Sequence, residues 1–151
     1  MLLPIVVAWL HYIGVMLFLA CLLGEHLVLK PEPTLAQART LQILDGTYGG
    51  AATLVLATGI WRMFLEKGVG YYLHDAAFHI LVALFVIIGL LSAYPTMIFI
   101  RWRKVVGAGQ TPVLAPGQFK RIQMILRTEM LLLLIAPLFA TGMAHGWLIF
   151  S

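Results

Sequence analysis

Four long apolar stretches run along this chain, separated by short polar segments. They extend from about Leu3 to Leu23, Tyr48 to Leu65, Tyr72 to Ile100 and Met124 to Phe150. A helix needs roughly 20 predominantly apolar residues to cross the hydrocarbon core of a bilayer, and these stretches are of that order. None alternates with the two-residue period of a barrel strand. Backbone in lipid must satisfy its own hydrogen bonds, so helices are the predicted elements. The expected fold is all-α, a four-transmembrane-helix bundle forming a single domain over residues 1–151.

The connections are short. The segment from Glu25 to Gly46 contains Lys30-Pro31-Glu32-Pro33, and Thr34 after it is placed to cap a short amphipathic surface helix. Glu66 to Gly70 reads as a tight turn, and Arg101 to Arg121 as a loop punctuated by Gly107, Gly109, Pro112 and Pro116. Arg101, Arg103, Lys104, Lys120 and Arg121 flank that loop, which the positive-inside rule makes cytoplasmic. Both termini and the turn at Lys67 then face the opposite side, the periplasm if the source is Gram-negative. The N-terminal stretch lacks a basic leader region and a small-residue cleavage site, so it is expected to be a retained first helix.

Composition sharpens this picture. Apolar residues make up 62% of the chain and charged ones 11%, against about a quarter charged in a soluble domain. The mean hydropathy is +0.97. The formal net charge of +4 is dispersed over helix ends and gives no basic patch for nucleic acid. The single cysteine, Cys21, excludes a disulfide framework and a CxxC metal site.

Ionisable residues within spans are costly and point to function. His11, His79 and His145 fall at similar depths on the first, third and fourth spans. Counting at 1.5 Å per residue places all three about 10 Å below the periplasmic surface. His74 lies about a turn further out, and His26 lies on the opposite side. Imidazoles facing one another in a bundle suit haem iron, copper or zinc. Gly14 near His11, and Thr141 and Gly142 near His145, would leave room for a macrocycle. Arg62 and Lys67 would meet its propionates. Without CxxCH, a haem would be the non-covalent b type. His11 and His79 are the expected axial ligands, with His145 and His74 in reserve. A lone intramembrane histidine can also simply bond a neighbour's hydroxyl or carbonyl.

Other polar residues have plainer expected roles. Glu25, Asp45, Arg127 and Glu129 read as an ion-pair network on the cytoplasmic side. His11 and Glu25, fourteen residues apart, lie within about 40° on one face of the first helix. Gly49, Gly50, Ala51 and Ala52 are expected to let helices approach closely. Pro95 and Pro137 are expected to kink their helices, and Trp61, Trp102, Trp147, Tyr71 and Tyr72 to form an interfacial belt.

Several stretches resemble a family of small bacterial four-helix inner-membrane proteins of unknown function. They are Leu22-Leu23-Gly24-Glu25-His26, Asp45-Gly46-Thr47-Tyr48-Gly49 and Gly59-Ile60-Trp61-Arg62, then Lys67-Gly68 with Tyr71-Tyr72, Ser92-Ala93-Tyr94-Pro95-Thr96, and Glu129 with Pro137. That resemblance implies fold and location. Trp9-Leu10-His11 is distantly similar to the membrane protoporphyrinogen oxidase family, which binds b-type haem, and to the copper-resistance membrane proteins. Where the oxidase family carries a lysine on the third helix, Phe78-His79-Ile80-Leu81 carries Leu81 instead. Residues 79 and 81 point about 160° apart, so if the Leu81 face is interior, His74 becomes the better third-helix ligand.

The functional expectation is a small b-type haem redox protein, a candidate membrane oxidoreductase, exchanging electrons with quinone or a periplasmic partner. The alternatives are a copper- or zinc-binding transport accessory and a cofactor-free assembly subunit, for which the thin core of four helices suggests a homodimer.

Overall fold

A proline pair, a capping threonine and a few glycines set where the helices begin and end. In the computed structural model, which describes residues 2–146, helix α1 spans Leu2–Val28, α2 Leu35–Leu65, α3 Val69–Leu73, α4 Ala76–Gly107 and α5 Gln118–Ala144. Prolines 31 and 33 hold the chain extended after α1. Thr34 then closes a capping box: its hydroxyl accepts from the Gln37 N–H, and the Gln37 side chain accepts from the Thr34 N–H at 2.9 Å.

The sequence suggested a surface helix followed by a separate span. Instead α2 runs unbroken for 31 residues. No proline interrupts it, and its glycines weaken a helix without ending it. The third stretch behaves in the opposite way. Asp75 accepts a hydrogen bond from the Ala77 N–H at 2.8 Å and starts α4 there, so Val69–Leu73 becomes the separate short helix α3. α4 continues to Gly107 and takes Arg101, Arg103 and Lys104 out of the expected loop and into helix. α5 begins after Gly117, which turns the chain with φ 80°, and ends with His145 as its C-cap. Trp147 and the rest of the fourth expected stretch lie outside the described residues.

The four long helices form a ring. α1 packs on α2 and α5, and α4 packs on the same two neighbours. α1 and α4 face each other diagonally, where the Phe18 and Phe85 rings approach with centroids 6.3 Å apart. Phe18, Leu22, Leu41, Phe99, Ile122 and Leu126 fill the core. The close approach of α1 to α2 depends on glycines of α1. A Cβ on Gly14 would stand 3.0 Å from Val55, and one on Gly24 would stand 3.1 Å from Leu44. Gly49 and Gly50 face open space, so of the four small residues expected to pack there it is Ala51 that is buried. Trp102 packs on Phe99 in the core, 5.3 Å between centroids, and so does not join an interfacial belt, whereas Trp61 is exposed.

Large apolar side chains such as Leu90, Leu131, Leu134 and Leu138 point outward. A water-soluble protein rarely leaves so many uncovered, but a lipid-facing surface requires them. α1, α4 and α5 are each long and apolar enough to cross a membrane.

Candidate functional site

The histidine layer does not assemble. His11 is half-buried between α1 and α2, with Nδ1 3.0 Å from the Thr58 hydroxyl. That hydroxyl donates to the Leu54 carbonyl at 2.6 Å, so it accepts from His11, and the ring is assigned its proton on Nδ1. Gly14, expected to leave room beside it, faces Leu54 and Val55 side chains. His79, His74 and His145 are exposed. Each turns Nδ1 onto a carbonyl of its own chain four residues earlier, at Asp75, Gly70 and Thr141. This is the plain role open to any single histidine. Among the described residues no hydrogen bond joins His11 to the other three, and no three His, Cys, Asp or Glu side chains group to hold a metal ion.

Arg62 is engaged locally. It pairs with Glu66 at 2.6 Å and lies over the Tyr12 ring, 5.4 Å from its centroid. Glu66 also accepts from the Tyr72 hydroxyl at 3.3 Å. Burial, with the Glu66 carboxylate beside it, pushes the Tyr72 phenol up to about 12. Lys67 and Tyr71 close this end of the bundle by donating to the Ala144 and Met143 carbonyls at 2.9 Å and 3.0 Å.

The chemistry that the fold does concentrate lies in the other half of the bundle. Glu25 of α1, Asp45 of α2 and Glu129 of α5 are buried, 2%, 9% and 0% exposed. α4 contributes Thr96, whose hydroxyl donates to Asp45 Oδ1 at 2.5 Å. Tyr48, one turn after Asp45 on the same face of α2, is 5% exposed, and its ring lies 4.5 Å from that of Phe18. Tyr48 is thus buried in the same half of the bundle as the carboxyls of Glu25, Asp45 and Glu129. Four buried atoms here lack a hydrogen-bond partner: Glu25 Oε1, both Glu129 carboxyl oxygens and the Tyr48 hydroxyl. Ser92 lies close to that hydroxyl but spends its own proton on the Gly89 carbonyl at 2.9 Å.

The expected ion-pair network is therefore absent. Arg127 lies on the exposed face of α5, and the one ion pair among the described residues is Arg62–Glu66. Arg103 of α4 acts on Asp45 from a distance without pairing with it. The reason is helical phase. Residues 127 and 129 lie about 160° apart around the axis, so burying the glutamate turns the arginine outward.

The sequence reading noted the three acids but missed Tyr48 and Thr96 as partners. The available signal was Asp45 and Tyr48 at i and i+3 on an otherwise apolar helix face. Glu25, Asp45, Tyr48, Thr96 and Glu129 all fall in the stretches that carried the family resemblance. Comparison with curated proteins and with solved structures returned no match. A family model described as "Predicted membrane protein (DUF2214)" matches residues 3–147, nearly the whole chain, and the protein belongs to that family.

Proposed function

We propose that this is a proton-handling protein of the bacterial inner membrane, in which Glu25, Asp45 and Glu129 take up and release protons as part of a proton-coupled transport. One observation carries the reading: three helices each bury a carboxyl in the same half of the core as a buried, unpartnered tyrosine hydroxyl, and none of these carboxyls is in an ion pair among the described residues. Charged carboxylates in hydrocarbon cost several kcal/mol each unless a proton or a counter-ion neutralises them.

In this reading α2 is the fourth span. Its buried face carries Asp45, Tyr48 and Thr58, and it lacks a stretch as apolar as those of α1, α4 and α5. The positive-inside rule places the ends of α1 and α4 in the cytoplasm, with both termini periplasmic. Glu25 lies three residues from the end of α1, so the carboxyl layer exchanges with the cytoplasm by a short path. Between Tyr48 and the Thr58–His11 pair the core is filled by Phe18, Ala51, Ile88 and Leu133.

The test is reconstitution in liposomes that enclose a pH-sensitive dye, with a potassium diffusion potential imposed. The wild type is expected to move protons, and Glu129→Gln to lose most of that flux. Infrared difference spectra should show a protonated-carboxyl stretch that disappears in Glu129→Gln. Wild-type vesicles no leakier than empty ones, together with no such band, would overturn the reading.

A second reading keeps a b-type haem, copper or zinc on His11. The observation in its favour is the His11 tautomer: Nδ1 is committed to Thr58, which leaves Nε2 as a ligand atom. His79 and His145 are exposed, so the second ligand would come from another copy in a homodimer. Electrons would then pass to quinone or a redox partner. Purified protein with a Soret band, or with stoichiometric metal lost in His11→Ala, would support this reading, and colourless, metal-free protein would remove it.

A further inference from the structure

A second polar group lies outside the carboxyl layer, where α1 meets α5 at the end of the bundle that carries eight of the ten lysines and arginines. His26, two residues before the end of α1, is half-buried there, and its Nδ1 is enclosed without a hydrogen-bond partner. The charged side chains that act on its ring are Arg127 of α5 and Lys30 of the loop that follows α1. Both are cations, both are exposed, and neither forms an ion pair among the described residues. Glu25, next to His26 in sequence, is buried in the core. His26 and two cations with no ion-pair partner among the described residues thus share this end of the α1–α5 contact, a concentration of positive potential that attracts an anion.

Depth indicates the kind of anion. Arg127 lies nine residues into α5, about 14 Å along its axis. One turn further on, the same face carries Leu131, 59% exposed to lipid. On α1, Leu23 and Leu27 beside His26 are 46% and 62% exposed. A guanidinium on a lipid-facing surface extends its stem towards the headgroups, and its planar fork matches a phosphate bidentately. We infer that His26, Lys30 and Arg127 form a headgroup site for an anionic phospholipid of this leaflet. The phosphodiester rests on Arg127 and Lys30, His26 supplies a further polar contact, and the acyl chains lie over the leucines. The inference is independent of what the carboxyl layer does.

The test is native mass spectrometry of the full chain in detergent, titrated with dioleoyl phosphatidylglycerol and, separately, with dioleoyl phosphatidylcholine. Wild type should prefer the anionic lipid. The double variant Lys30→Gln, Arg127→Gln should weaken that binding by roughly tenfold or more, the scale expected for two cations near a membrane surface. Arg127→Lys should keep much of the binding. Arg101→Gln with Lys104→Gln, which removes two cations elsewhere on the same end, should leave it nearly unchanged. Equal affinity for the two lipids, or an equal loss in the control pair, would overturn the site. Displacement of the lipid by excess inorganic phosphate would show a soluble-anion site and overturn the lipid assignment.

Discussion

Glu129 is the residue whose surroundings are most unusual. It is fully buried and both of its carboxyl oxygens lack partners. Leaving a buried polar group unmet costs about 1–3 kcal/mol, so removing it without leaving a hole should help the fold. Glu129→Leu is therefore expected to raise the thermal midpoint in detergent while abolishing proton flux. A lower midpoint would mean that Glu129 has partners that stabilise it. Tyr72 gives a pH prediction outside the spans. Its phenol is held at about 12 in the fold against 10.0 ordinarily, so the folded state holds the proton longer. That contribution is complete below pH 10 and is lost as pH rises towards 12. Wild type should lose stability across that interval, and Tyr72→Phe should lose less. Identical alkaline profiles would count against the Tyr72–Glu66 contact.

Helix α2 joins the two halves of the bundle, and its start is set by the Thr34–Gln37 capping box. Thr34→Ala should destabilise by about 1 kcal/mol, read as a lower thermal midpoint and faster exchange of the first amides of α2. The α1–α2 contact makes the sharper contrast. Gly14→Val forces a branched side chain against Val55, where a Cβ alone would already stand 3.0 Å away. It should cost about 1–3 kcal/mol. Gly49→Ala, on a face with open space, should be neutral or slightly stabilising, because alanine holds a helix better than glycine. If the two substitutions had equal effects, the close approach would not be made where α1 meets α2 at Gly14.

Across the whole molecule the charge is strongly one-sided, with only Arg62 and Lys67 among the lysines and arginines at the far end. That asymmetry sets the expected orientation. Cys21 is buried, so the native chain offers little background to thiol reagents. Val113→Cys places a thiol at a site that is 87% exposed in the loop between α4 and α5. In intact cells a membrane-impermeant maleimide should miss it, and after permeabilisation should label it. Labelling in intact cells would invert the topology and, with it, the direction in which the carboxyl layer opens.

Helix type, membrane environment and charge asymmetry were legible in the sequence because each depends on local composition: long apolar runs, no strand period, and cations gathered at one set of ends. Thr34 as a cap was legible for the same reason. The helix ends were less so. Asp75 divides the third stretch by a single side-chain contact, and nothing broke α2 where a junction had been expected. The site was decided by tertiary structure alone. Depth along separate helices suggested a histidine layer, but rotation about each axis turned His74, His79 and His145 outward onto their own carbonyls. The same rotation turned Glu25, Asp45, Tyr48 and Glu129 inward and left Arg127 outside. Hydropathy fixes how deep a residue lies. Which neighbours it meets depends on the phase of each helix against the others, and that is set only when the four helices pack.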